Sequence, residues 1–173
     1  MILLEGDEYN YIRKLQVRLH ELFKTKETLK LEPHMTIKYA FETNNLSGIE
    51  KYFDDLTSQI KPFKIKMNGV NFFEPNVAFV DFEKNEDLTN LHVKILNELG
   101  QQFFIQPSEF EGKDFHFHST IAYKDIDKET FIKIKNELET EKPQFTFNLH
   151  KLGIYLKLNP NEDWFLYKTS LLK

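Results

Sequence analysis

Two short stretches hold the residues best suited to chemistry. His34-Met35-Thr36-Ile37-Lys38-Tyr39 and His118-Ser119-Thr120-Ile121-Ala122-Tyr123 share the pattern His-x-Thr-Ile-x-Tyr. Given how often His and Thr occur in 173 residues, roughly 0.4 His-x-Thr pairs are expected by accident. Two that also agree at Ile and Tyr are much harder to attribute to chance. On a strand, residues i and i+2 point to the same face. His34 therefore projects with Thr36 and His118 with Thr120, while Ile37 and Ile121 point the other way, into a core. Imidazole titrates near neutrality, so one ring can accept a proton while the other donates one. Hydroxyls beside them can donate to non-bridging phosphate oxygens. Such a set suits in-line cleavage of a phosphodiester without a metal.

Other polar side chains give weaker signals. Phe115-His116-Phe117-His118 places a second imidazole on the face of His118 and Thr120, and His-x-His on a strand is a metal-ligand pattern. The first motif has Glu32 at the matching place, so the repeat argues against a metal; a His-x-His metal-dependent enzyme is the second site reading. Lys38, Lys124, Tyr155 and Lys157 are candidates for a phosphate-binding rim, with His116, Lys38 and Tyr155 taken as pocket residues. A lone strand lysine is more often a solvated edge charge. His20, His92 and His150 have no partner motif and read as surface or satisfied core. Phe72, Phe73 and Phe79 could stack a base, but with 17 Phe most must be packing. Tyr39 and Tyr123 differ in parity from the histidines and are assigned to the core side.

The elements that must hold these motifs repeat as well. Ile2–Leu4 reads as a strand, and Tyr9–Phe23 as an amphipathic helix with Ile12, Leu15, Leu19 and Leu22 on one side. His34–Phe41 reads as a strand, Leu46–Ile60 as a helix stopped by Lys61-Pro62, and Phe63–Phe73 as a strand. A second series follows: strand Val77–Phe82, helix Glu86–Phe103, strand Phe115–Tyr123, helix Asp127–Leu138 stopped by Lys142-Pro143, and strand Phe145–Leu158. Trp164–Leu172 closes the chain after the turn Asn159–Asp163. The order β-α-β-α-β appears twice. The expected fold is α+β: duplicated pseudo-twofold lobes, roughly 1–75 and 76–173, with two antiparallel sheets forming a central cleft, helices outside, and the last strand open to exchange between lobes. One bilobal domain is expected over 1–173.

Composition narrows the partners. There is no Cys, which excludes disulfide scaffolds, zinc ribbons, iron–sulfur clusters and thiol nucleophiles. The formal charge is −4, with Lys+Arg 23 against Asp+Glu 27. Proteins that coat long nucleic acid usually carry a basic surplus, so long double-stranded nucleic acid is not an expected partner. No apolar run approaches the ~18 residues of a membrane span. The expected protein is a cytoplasmic monomer without cofactor or membrane contact.

The double His-x-Thr motif, its duplicated setting and the closing strands resemble the 2H phosphoesterase superfamily, which includes the bacterial 2'-5' RNA ligase and cyclic phosphodiesterase enzymes. The resemblance implies that His34 and His118 are catalytic and that Thr36 and Thr120 bind phosphate. It further implies a metal-independent phosphoesterase acting on a 2',3'-cyclic phosphate, a 2'-5' linked or cyclic nucleotide, or an RNA end, with ligation as the reverse direction. Having only Arg13 and Arg18, the chain departs from members that grip large RNA. The other function class is a non-catalytic nucleotide or RNA-end binding module that keeps the pocket.

Overall fold

The computed structural model describes all 173 residues. Four helices take the expected positions, each with a local reason to start or stop. α1 (Gly6–Phe23) carries Asp7 and Glu8 in its first turn, where the helix dipole favours acids, and ends at Lys24 in the left-handed conformation. α2 (Leu46–Gln59), α3 (Glu86–Phe103) and α4 (Lys128–Leu138) are capped by the side chains of Asn45, Asn85 and Asp127, each accepting a backbone N–H three residues on.

Eight strands build two antiparallel sheets. β1 (Ile2–Leu3), β2 (His34–Met35), β7 (Lys151–Leu156) and β8 (Phe165–Leu171) form one, in the order β2-β1-β7-β8. β3 (Phe63–Phe73), β4 (Val77–Phe82), β5 (His118–Tyr123) and β6 (Thr146–Leu149) form the other, in the order β5-β4-β3-β6. The α+β architecture with paired antiparallel sheets is therefore as expected. β2 and β5, the strands of the two histidine motifs, are edge strands of different sheets and lie against each other. The third strand of the first repeat, β3, pairs with β4 of the second, while β7, from the second, pairs with β1. Strands from both repeats thus meet in each sheet. One continuous apolar cluster, from Ile2 to Leu172, fills the space between them.

Several elements differ from the expected ones. The strand expected over His34–Phe41 is only His34–Met35, because its partner β1 is two residues long and the ladder runs out. Phe115–Phe117 precede β5 without joining it, although Phe115 and Phe117 are buried. The strand expected over Phe145–Leu158 breaks at His150, where the chain leaves one sheet for the other. A 3₁₀ turn, Glu27–Lys30, lies in the connection between α1 and β2. Tyr123 is exposed rather than core-facing: a register shift in the β4–β5 pair buries Ile121 and Ala122 in succession, which resets the alternation. Tyr39 is half-buried and packs edge-on against Phe115.

Candidate active site

His34 and His118 are set up alike. The Nδ1 of His34 lies 2.7 Å from the Glu32 carbonyl, and the Nδ1 of His118 lies 2.8 Å from the His116 carbonyl. A carbonyl can only accept, so in both rings Nδ1 carries a hydrogen and Nε2 is the nitrogen left to take up or give a proton. The same backbone bond occurs at His150, to Asn148, so the bond alone does not define a site. The difference is at the other nitrogen. His150 Nε2 pairs with Glu5 at 2.8 Å, whereas Nε2 of His34 and of His118 has no protein partner and remains open to solvent. Thr36 and Thr120 are half-buried, and their hydroxyls also remain open. The four residues singled out by the motifs therefore end in two free imidazole nitrogens and two free hydroxyls on neighbouring edge segments.

Each motif has its own surroundings. Behind His34 the Tyr155 ring packs at 5.6 Å between centroids, and its hydroxyl is buried without a partner. Nearby, Glu32 accepts from the Tyr9 hydroxyl and from Arg13 at 2.9 Å; these bonds hold its carboxyl below the usual range. Behind His118 lie Phe79, at 5.0 Å, and Phe73, at 5.1 Å and edge-on. Phe79 is fully buried and offers no face to a base, and Phe72 packs edge-on against Phe131, whereas Phe73 is exposed beside His118. His116 sits next to the second motif with Nε2 at 3.0 Å from Asp81 Oδ1. Asp81 is paired with His118 in the β4–β5 register. No group of three or more His, Asp or Glu side chains converges as a metal cage.

One pocket candidate is otherwise engaged. The Lys38 side chain is largely buried, with its ammonium 2.7 Å from the fully buried carboxylate of Glu111. Its charge is neutralised within the protein, which removes it as a phosphate-binding cation. Sequence inspection also missed the supports of the second motif. Gln16 Nε2 donates to the Thr120 carbonyl at 3.0 Å, and the Thr28 hydroxyl donates to the Ile121 carbonyl at 3.1 Å, closing the free edge of β5. Gln16 left one trace: it is a polar residue on the buried stripe Ile12, Leu15, Leu19. Asp81 left none.

Burial lowers the pKa of His34; the bond to the Glu32 carbonyl opposes this, and the N-terminal amino group and then His118 lower it further. Burial also lowers that of His118; the backbone bond to His116 and the carboxylate of Asp81 pull it back up, against the opposing effect of His116. His92, fully buried on α3, is lowered by burial as well. A neutral buried imidazole binds fewer protons than the same residue unfolded, whose pKa is about 6.5. Stability contributed this way is complete above about pH 6.5 and is lost as the pH falls below it. The melting temperature is expected to be flat between about pH 7.5 and 6.5 and to drop by about pH 5.5. A flat curve down to that lower pH would show that these rings titrate as free imidazole does.

Comparisons with known proteins bear on the family and the fold. A family model described as the 2'-5' RNA ligase superfamily matches residues 6–161. A Geobacillus thermodenitrificans (strain NG80-2) protein named "Putative phosphoesterase" is 25% identical over 149 residues, covering 82% of this chain and 79% of that one. The crystal structure of the Thermus thermophilus protein TT0787 superimposes with a TM-score of 0.66 over 99% of this chain and 94% of that chain, at 12% identity, a likeness of fold. With nearly its whole length inside the family match, the chain belongs to the 2'-5' RNA ligase superfamily of 2H phosphoesterases.

Proposed function

We propose that the chain is a metal-independent phosphodiesterase in which His34 and His118 exchange protons with the substrate and Thr36 and Thr120 hold its phosphoryl oxygens. The observation that carries this is the matched pair of open Nε2 atoms, each ring fixed in the same tautomer by the carbonyl two residues back. Binding alone would not need two such rings. Asp81, close behind His118, favours the protonated form of that ring, whereas His34 has no carboxylate at its nitrogens. In hydrolysis His34 Nε2 takes a proton from water as the water oxygen attacks phosphorus. The bond to the leaving ribose oxygen breaks, and His118 Nε2–H supplies that oxygen's proton. The rings end with their protonation exchanged and reset through solvent.

The substrate class proposed is a 2',3'-cyclic phosphate, a 2'-5' linked or cyclic nucleotide, or a short RNA end. Its small size follows from charge. Arg13 is tied to Glu32, and Arg18 lies against Glu137 and Glu141, so neither arginine is spare for a long phosphate backbone. Exposed Phe73 beside His118 offers an aromatic edge to a base.

The test is turnover of a panel in excess chelator: nucleoside 2',3'-cyclic phosphates, a 2'-5' dinucleotide, a cyclic dinucleotide, an ADP-ribose cyclic phosphate, and RNA with a cyclic phosphate end. Cleavage without metal is expected for at least one. Because both rings are lowered by burial, kcat/KM should trace a bell whose midpoint lies on the acid side of neutrality. Binding without turnover would identify a recognition module. Activity that appears only with added divalent ion, and is lost in His116→Gln, would identify the His-x-His metal enzyme.

A further inference from the structure

β2 ends at Met35, so no sheet hydrogen bond places Thr36 or the residues after it. Something else must hold that segment against the second motif. We propose that His92 is a positioning residue that joins the two motifs through its ring, an inference that rests on the two-histidine reading above. His92 comes from α3, outside both motifs, and is fully buried. Its Nδ1–H donates to the carbonyl of Ile37, the residue after Thr36, at 2.6 Å. Its Nε2 accepts from the Gly112 backbone N–H at 3.2 Å. Its ring stacks on Phe115, at 4.4 Å and 21°, and meets Phe117 edge-on at 5.8 Å. Phe115 and Phe117 flank His116, whose carbonyl fixes the tautomer of His118.

The ring therefore touches the residue that follows one phosphate-binding threonine and both neighbours of the residue that orients the other imidazole. Burial keeps it neutral, so Nε2 remains an acceptor; the charged groups near it, Glu111 and Lys38, are paired with each other. Glu111 makes a second tie between the same two segments. It accepts from the Tyr39 N–H at 2.5 Å and from the Ser108 N–H at 2.8 Å, as well as from Lys38. An apolar side chain would fill the place of His92 without carrying two polar atoms into the core. What only a polar ring supplies there is a defined distance between Ile37 and Gly112.

Two substitutions separate positioning from packing. His92→Phe keeps the volume and the stack on Phe115 but loses both hydrogen bonds. His92→Asn packs worse yet presents an amide N–H where Nδ1–H was, toward Ile37. The expected order of kcat is parent, then Asn, then Phe, with the Phe variant down by roughly 10²-fold, the cost of about 1 Å of misplacement, and KM within about threefold. The expected order of melting temperature is the reverse for the two variants. Ring-proton titrations of His34 and His118 by NMR should shift in His92→Phe. Should either variant fold poorly, Glu111→Gln cuts the parallel tie and is expected to lower kcat and move the same two titrations. If kcat follows the melting temperature and the His34 and His118 titrations match the parent, His92 is only a core residue and the proposal is overturned. Failure of the two-histidine reading would show separately, as parent-like turnover in His34→Ala and His118→Ala.

Discussion

Replacing His34 or His118 with Ala is expected to lower kcat by roughly 10²–10⁴-fold, the usual contribution of a positioned acid or base. Both rings lie on short edge strands, and neither Nε2 bonds to protein, so the loss should reach turnover well before it reaches the fold. The double variant should be far less than multiplicatively worse, because each ring is useful only while the other is present. Steady-state kinetics on the best substrate of the panel, with a melting curve for each variant, provides the check. Near-parent turnover in either single variant would remove that ring from the mechanism. The pH profile adds a directional test: in each single variant one limb of the bell should vanish, the basic limb with the acid and the acidic limb with the base. Losing the acidic limb in His34→Ala would agree with the carboxylate of Asp81 lying on the side of His118.

The second large effect is expected at the hydroxyls. Thr36→Val or Thr120→Val keeps the shape and removes the hydroxyl proposed to donate to the phosphoryl group. Donors aimed at developing charge are typically worth ~2.7–4 kcal/mol, or about 10²–10³-fold in kcat. Neither hydroxyl has a protein partner in the structure, so the melting temperature should hardly move. Thr57 is a built-in control. Its hydroxyl is tied to the Phe53 carbonyl at 2.9 Å and to the Ser170 hydroxyl at 2.9 Å. Thr57→Val should therefore cost stability and leave turnover near the parent value. A Thr36 or Thr120 variant that behaved like Thr57→Val would make those threonines structural.

The second motif was legible because strand parity is local: His118 and Thr120, both within β5, need only the alternation of a strand to share a face, whereas Thr36 lies just beyond the end of β2. Helix ends were legible for the same reason, since Asn45, Asn85 and Asp127 act on N–H groups three residues away. The supports of the site were not. Asp81 reaches His116 across 35 residues, His92 reaches Ile37 across 55, Glu111 reaches Tyr39 across 72, and Gln16 reaches Thr120 across 104. No window along the chain contains both ends of such a bond. Lys38 shows the opposite failure. Its sequence position suggests a free cation beside Thr36, and only the distant Glu111 shows that its charge is already neutralised. Strand length was misjudged where it depends on a partner: β2 is cut short by the brevity of β1, not by any residue of its own.

The crossing of strands between the two repeats bears on how the protein reaches its working shape. The sheet that carries His34 is completed only when Ile2 meets Leu152, far apart along the chain, and the sheet that carries His118 needs β3 from the first repeat. Loops of that size must close before their contacts reward them, which raises contact order and slows folding. A ribosome would release most of the chain before the His34 sheet could form. Until then β1 and β2 have only each other, a two-residue ribbon whose open side awaits β7. Each sheet needs chain from both repeats, so the two imidazoles are expected to meet only after the longest of these loops has closed.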